Sequence, residues 1–287
     1  MRNSQKSPFL NTGFAEAKAI TGHNAKTFYL SSRFLPKPKR YAAYVIYAVC
    51  RLSDDAVDIN ISSPAQSLSR IKENIAMVYS EEFLTHQLLL ALRKTVKEYD
   101  IPKEHFDEFI AGMQMDLSKK RYKNFAELYN YSYRAAGVIG LIMLEIFDQH
   151  NEAAKDYAVA LGIAMQLTNI IRDIKEDYLR GRIYLPLDEM EKFGVCETDI
   201  SRGIMNENLK GLLEFNARRA KEYYTECEKG IKMIRDARCR FVVRAMKEMY
   251  ETLLDEMGKK HYNVFSKRAR VNGFQKAGIL LRILLYR

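Results

Sequence analysis

Two stretches of this chain carry acids on helices that otherwise have no polar face to spare. One covers residues 41–58 (YAAYVIYAVCRLSDDAVD), the other residues 157–178 (YAVALGIAMQLTNIIRDIKEDY). Both are apolar over most of their circumference, which predicts helices packed on nearly every side. At about 100° per residue, Tyr47, Arg51, Asp54 and Asp58 share one face of the first. Gln166, Asn169, Asp173 and Asp177 share one face of the second, with Arg172 beside them. Acids at i, i+4 weaken a helix by roughly 0.2–0.5 kcal/mol. Burying them costs far more unless positive charge neutralises them. A lone DxxxD is ordinary surface decoration. Two such stripes, each following an apolar run and each beside an Arg, constrain the fold: they face one another across a pocket that takes up cations.

The rest of the pattern says what kind of fold holds them. Gly (14) and Pro (6) are scarce in 287 residues, and no run alternates with period two between turn signals. That combination predicts an all-α protein. Helices are expected over 15–35, 41–60, 65–80, 82–100, 103–120, 125–147, 157–178, 206–234, 239–257 and from about 270. Breaks fall at Pro36 and Pro38, at a Ser62-Ser63-Pro64 loop, at Ile101-Pro102 and at a rigid non-helical turn over 181–187. With no linker and no composition break, one domain over 1–287 is the simplest expectation.

Other chemistries are thinly supported. Cys50, Cys196, Cys227 and Cys239 are scattered and the five His are dispersed, so neither a zinc site nor a disulfide framework is expected, and a reducing cytoplasm is the natural compartment. The N-terminal segment has no apolar core of a signal peptide, and no apolar run is long enough to span a bilayer. A net charge of +10 brings nucleic acid to mind, but the basic residues form no dense tract, so no nucleic acid is expected. Anionic small molecules or an anionic membrane surface explain the distribution as well. The C-terminal GILLRILLYR is read first as a helix packed on the core and second as one resting on a bilayer.

Five carboxylates (Asp54, Asp55, Asp58, Asp173, Asp177) without His or Cys are hard oxygen donors suited to Mg²⁺, or Mn²⁺, rather than zinc. Mg²⁺ is usually shared with phosphate oxygens, which implies a polyphosphate substrate. Arg51 and Arg172 fit the same partner. Neither GxxxxGK[ST] nor GxGxxG occurs, so ordinary nucleotide machinery is not expected. Phe28, Tyr29, Tyr44, Tyr47, Tyr131, Tyr133 and Tyr250, with the small residues Gly137 and Gly140, offer an apolar and aromatic cavity. Such a cavity suits a long hydrocarbon diphosphate and shelters a carbocation from water.

Six segments carry a family resemblance. They are KTFYLSSRFLP (26–36), YAVCRLSDDAVD (47–58), GMQMDLSKKRY (112–122), YSYRAAGVIG (131–140), QLTNIIRDIKEDYLRGRIYLP (166–186) and VFSKRARV (264–271). In this order they resemble the squalene/phytoene synthase family of head-to-head prenyltransferases. The resemblance implies the isoprenoid synthase (class I terpenoid synthase) fold around a central cavity. It implies that Asp54, Asp58, Asp173 and Asp177, supported by Asp55, hold a Mg²⁺ cluster on the diphosphates. Asn169 would join the metal or bridge to the diphosphates, which Arg51, Arg172, Arg268 and Thr27 would position. Tyr47, Gln166 and Tyr250 would border the reacting carbons, with Phe28 and Tyr133 also against substrate.

The implied reaction joins two all-trans prenyl diphosphates through a presqualene-type cyclopropyl diphosphate. Small Ser31 and Ser32 after the phosphate end of the first helix would leave room for a C20 tail, giving phytoene. Against this, LIMLEIF and LPLDEMEKFGV resemble bacterial presqualene diphosphate synthases, which leaves farnesyl diphosphate and a dehydrosqualene, squalene or presqualene product as the alternative. NADPH is not expected, because nothing reads as a dinucleotide site and the C-terminal anchor of reducing squalene synthases is missing. A terpene cyclase normally carries an Asn/Ser/Glu second motif and a chain-elongating enzyme two DDxxD motifs; neither matches Asp173 and Asp177. A basic membrane or nucleic-acid binder would leave both acidic stripes without purpose. The expected setting is the cytoplasm, with the inner face of the membrane as a second location.

Overall fold

The computed structural model describes residues 8–58, 63–148 and 150–285, and among them it holds α-helix and no strand. In chain order the helices are α1 (Pro8–Asn24), α2 (Lys26–Ser32), α3 (Lys37–Asp58), α4 (Pro64–Tyr79) and α5 (Gln87–Glu98). Then come α6 (Lys103–Ser118), α7 (Phe125–Ser132), α8 (Val138–Asp148), α9 (Lys155–Arg172) and α10 (Ile174–Leu179). Short α11 (Leu187–Lys192) and α12 (Glu197–Ser201) precede α13 (Glu207–Met233), α14 (Ala237–Gly258) and α15 (Gly273–Leu285). Residue 60, residue 62 and residues 1–7, on which sequence expectations rested, lie outside the described residues.

Local chemistry explains most boundaries. Side chains of Ser63, Asn124, Asn206 and Asp236 accept hydrogen bonds from backbone N–H groups in the first turns of α4, α7, α13 and α14. Pro38 does not stop a helix but opens one: it stands in the first turn of α3, where a missing N–H costs nothing. The expected first helix is two, parted at Ala25 (φ −125°, ψ 64°). The expected helix over 125–147 is also interrupted, by a π-helical turn at Tyr133–Gly137. The segment after Gly181 (φ +77°) returns to helix at Leu187, earlier than expected.

Two large apolar clusters, with a small third around Ala160, Cys227 and Ile231, build the core among the described residues. One gathers α1, α3, α4, α5, α6 and α8 around Ile46, Leu88, Phe106 and Ile142. The other gathers α9 and α13 around Leu167, Leu213 and Tyr224, and there the buried Thr168 and Tyr224 hydroxyls meet at 2.9 Å. Close approach of α8 and the π-helical turn before it to α9 needs glycine. A Cβ on Gly140 would lie 2.2 Å from the Ala158 carbonyl oxygen, and one on Gly162 would lie 2.4 Å from that of Ala136. Between the clusters lies a cavity of about 1190 Å³.

Candidate active site

Both stripes face this cavity. Tyr47, Arg51, Asp54, Asp55 and Asp58 line it from α3; Gln166, Asn169, Arg172, Asp173 and Asp177 line it from α9 and α10. The second stripe is not one straight helix: the backbone departs from helical values at Asp173 (φ −105°, ψ 14°). The hydrogen-bond ladder nevertheless continues, Asp173 N–H to the Asn169 carbonyl and Asp177 N–H to the Asp173 carbonyl, both at 2.8 Å. The bend therefore keeps the four polar residues on the cavity wall. Thr27, Phe28, Tyr250 and Arg268 complete the expected lining.

Three sequence expectations fail. Tyr133 is not among the lining residues, whereas Tyr131, on the other side of the π-turn's start, is. Tyr29 and Tyr44 stack on each other with ring centroids 5.5 Å apart, behind the wall rather than on it. Ser31 and Ser32 are fully buried and do not themselves line the cavity. Ser31 donates to the Thr27 carbonyl at 3.1 Å, while the Ser32 hydroxyl meets that of Tyr44 at 3.2 Å. Neither forms the wall itself: Ser32 is held in a helix packing interface, and Ser31 stands behind Met249, a lining residue whose sulfur is 3.7 Å from its hydroxyl.

Guanidinium groups hold three of the five acids. Arg51 grips Asp55 through Nε at 3.1 Å and Nη2 at 2.5 Å. Arg182 donates to Asp58 at 2.6 Å from a side chain that is only 7% exposed. Asp173 is forked by Arg268 through two bonds of 2.9 Å and is bonded again by Arg172. Burial pushes the Asp173 carboxyl up, but these two cations more than offset it and hold it below its ordinary value.

Asp54 and Asp177 have no such clamp. Burial, then the neighbouring Asp58, pushes Asp54 up to about 7; burial, then Asp173, pushes Asp177 up to about 8. Buried carboxylates resisting ionisation are sites that a cation would stabilise. The Asn169 Oδ1 atom is buried beside them without a hydrogen-bond partner. Among the described residues no three acids, His or Cys converge as a finished metal cage. A hard divalent cation that takes its remaining ligands from diphosphate oxygens fits this donor set, because each wall offers an open carboxylate and the second adds an amide oxygen.

Sequence reasoning missed a third wall. Asp116 on α6 accepts from Tyr184 at 2.6 Å and from Tyr131 at 3.1 Å, the two rings stacking at 4.9 Å. All three line the cavity, with Arg180 and Arg182. Burial lowers the tendency of Arg182 to stay charged, but Tyr184, Asp116 and Asp58 more than restore it. Asp116 and Arg182 lie inside motifs quoted above, GMQMDLSKKRY and GRIYLP. An acid among apolar residues was the available signal. Away from this polar rim the lining turns apolar and soft, through Ile46, Met143, Phe147, Leu161, Ile231 and Met246.

Comparisons with known proteins agree with this geometry. Residues 21–275 match the squalene/phytoene synthase family. The chain is 35% identical over 297 residues to a phytoene synthase of Arthrospira platensis, covering 96% of each protein. It is 34% identical over 290 residues to a 15-cis-phytoene synthase of Synechococcus elongatus, covering 96% of this chain and 93% of that one. Among solved structures, a dehydrosqualene synthase superposes with a TM-score of 0.91 at 28% identity, over 96% of this chain and 97% of the other. The all-α isoprenoid synthase fold and a prenyltransferase activity follow together: this chain belongs to the squalene/phytoene synthase family.

Proposed function

We propose that the chain condenses two all-trans geranylgeranyl diphosphates head to head into phytoene, through a presqualene-type cyclopropyl diphosphate. One observation carries this reading: the acid-and-guanidinium rim opens onto a single long apolar cavity. Lining residues on α9 run from Tyr157 to Arg172, which at 1.5 Å per residue is a depth of ~22 Å. A volume of about 1190 Å³ exceeds the ~300–1,000 Å³ of ordinary small-molecule pockets and suits two prenyl tails. Sequence similarity to phytoene synthases over almost the whole chain supports the C20 substrate.

In this reading Asp54, Asp58, Asp173 and Asp177, with Asp55 and Asn169 in support, hold Mg²⁺ or Mn²⁺ at the diphosphates. Bound divalent cations supply the charge neutralisation that lets diphosphate leave. Arg51, Arg172 and Arg268, now on carboxylates, are placed to pair with diphosphate oxygens, and Thr27 adds a hydroxyl. The C1–O bond of one substrate breaks, and the resulting allylic cation lies among Phe28, Tyr47 and Tyr250, whose ring faces stabilise positive charge. Burial pushes the Tyr47 hydroxyl up to about 12, so it stays neutral beside the cation. The C2–C3 double bond of the second substrate attacks C1, and proton loss closes the cyclopropane. The remaining diphosphate then leaves, rearrangement joins the two C1 carbons, and loss of a second proton completes the central conjugated triene. Gln166 borders the same carbons. The apolar lining excludes water that would trap either cation as an alcohol.

The likeness to a dehydrosqualene synthase supports a second reading, in which the substrate is farnesyl diphosphate. Purified protein with Mg²⁺ and either diphosphate, without NADPH, separates them by mass spectrometry of the extracted products. A C40 hydrocarbon with a conjugated triene at its centre is expected from the C20 substrate. A C30 hydrocarbon, or a stable C30 cyclopropyl diphosphate, with no C40 product overturns the C20 assignment. No coupled product from either substrate removes the head-to-head reading altogether.

A further inference from the structure

Asp177 and Arg182 reach the cavity from a turn whose tip stands at the surface. Helix α10 ends in a Schellman turn: Arg182 N–H donates to the Asp177 carbonyl at 2.9 Å and Gly181 N–H to the Tyr178 carbonyl at 2.8 Å. Gly181 takes the left-handed conformation (φ +77°) that this reversal needs. Beyond it the chain runs beside residues 119–123, with Ile183 N–H on the Lys120 carbonyl at 3.0 Å and Leu187 N–H on the Tyr122 carbonyl at 2.9 Å. One short turn therefore carries an open acid, Asp177, and the buried cation that holds Asp58, Arg182. Packing does not fix its tip. A Cβ on Gly181 would meet nothing among the described residues within 4 Å beyond its chain neighbours.

Arg121 fixes it instead. Its Nη1 donates to the Gly181 carbonyl and to the Lys120 carbonyl, each at 2.8 Å. Its Nε and Nη2 fork the Glu197 carboxylate of α12 at 2.6 and 2.7 Å. One guanidinium thus ties three segments together through four bonds, an arrangement that the single ammonium of a lysine cannot copy. Neither Arg121 nor Glu197 is among the residues lining the cavity. Their side chains are 29% and 47% exposed, and an ion pair so exposed adds little to global stability. What the four bonds supply is position.

We propose that Arg121, oriented by Glu197, is a positioning residue for the active site. From outside the cavity it fixes the Gly181 turn, and through that turn the places of Asp177 and Arg182 opposite Asp58. The proposal rests on the role given above to Asp58 and Asp177 at the diphosphates. Without the clamp both groups stay in the chain but lose their register with α3, so binding of the cation and diphosphate suffers before the chemical step does.

The test compares Arg121→Gln, Arg121→Lys and Glu197→Gln with the natural chain. Amide hydrogen exchange is followed on metal-free protein, and binding by calorimetric titration with Mg²⁺ and inorganic diphosphate. Arg121→Gln should speed exchange about tenfold or more over residues 178–187 and leave α3, α9 and α13 unchanged. Its Tm should stay within about 2 °C of the natural value. Binding of Mg²⁺ with diphosphate should weaken by about three- to tenfold, and the Mg²⁺ concentration needed for half-maximal turnover should rise by the same factor, with kcat at saturating Mg²⁺ within about twofold. Glu197→Gln, which leaves both carbonyl bonds, should move the same readouts by less, and Arg121→Lys should recover only part of the loss. Unchanged exchange in Arg121→Gln overturns the proposal, as does exchange that is faster throughout the chain. A loss confined to kcat overturns it too, and so does full recovery in Arg121→Lys, because charge would then suffice. Exchange is read without metal or substrate, so it judges the clamp by itself; failure of the natural chain to bind Mg²⁺ with diphosphate counts instead against the function proposed above.

Discussion

On α3 the acidic stripe is an unbroken helix whose acids are sorted by their neighbours. Arg51 holds Asp55 and Arg182 holds Asp58, while Asp54 faces the cavity unclamped. On α9 and α10 the same spacing straddles a bend, and the sorting differs. Asp173 at the bend is gripped by Arg172 and Arg268, and Asp177, one turn on, has only Arg180 at 3.9 Å. Each wall thus presents one acid that resists ionisation and at least one already neutralised by a cation. The lesson is that identical spacing does not assign identical roles. The open acids call for an added cation, and the clamped ones store guanidinium groups beside the place where diphosphate would arrive.

Replacing the open acids gives the largest expected effect. Asp54→Asn and Asp177→Asn should each lower kcat by about 10²–10³, the scale on which lost electrostatic stabilisation is felt. Asp55→Asn, which only frees Arg51, should cost less, within about tenfold. Steady-state rates at saturating Mg²⁺ check this. If Asp55→Asn is as damaging as Asp54→Asn, the division into open and clamped acids is wrong.

A smaller effect is expected at the third wall. Arg182 is the buried cation joining Asp58 to the Asp116–Tyr184 pair, so Arg182→Gln leaves Asp58 with only Arg180 at 3.8 Å and removes the nearby positive charge from Asp116. We expect turnover to fall about 10- to 100-fold, with a raised Mg²⁺ requirement, because a neutral side chain no longer fixes the position of Asp58. Arg180→Gln, on a side chain 44% exposed, should change turnover by less than about threefold. Equal losses in the two variants would show that surface charge near the rim, and not the buried network, matters.

How far the sequence revealed this arrangement depends on sequence distance. The stripes were legible because their meaning is local: a period of 3.6 on an apolar background fixes which residues share a face. The bend at Asp173 was not visible, yet it did no harm, because the ladder runs on through it. Arg182 was not assigned because its partner Asp58 lies 124 residues away, and no periodicity links a loop to a helix. Tyr133 was misplaced because a π-helical turn begins there, and its wider winding shifts the helical phase. Ser31 and Ser32 were misread for a related reason. Their size is in the sequence, but the direction in which they point depends on α3 packing against α2, as the Ser32–Tyr44 bond shows.

The smallest expected effect separates the open acids from the clamped ones without any substrate. Asp54 and Asp177 titrate at about 7 and about 8 in the folded chain, against an ordinary 3.8. Between pH 4 and pH 8 the folded state therefore binds more protons than the unfolded state, so stability falls as pH rises through that window. Asp173 has the opposite sign: its carboxyl is held low, and its contribution is lost only in acid. The Asp54→Asn/Asp177→Asn double variant should lose this sensitivity, while Asp173→Asn should keep it. Thermal melting of metal-free protein at pH 5.5 and pH 8.5 reads the difference. The natural chain should lose at least several °C more than the double variant, since about 1 kcal/mol already shifts Tm by roughly 2–4 °C in a large domain and the two raised carboxyls exceed that. Mg²⁺ with inorganic diphosphate should restore more of Tm at pH 8.5 than at pH 5.5, since protons then no longer compete for the two carboxylates. Parallel pH profiles for the natural chain and the double variant would mean that both acids are compensated in the folded state, and the contrast between the two kinds of acid would be lost.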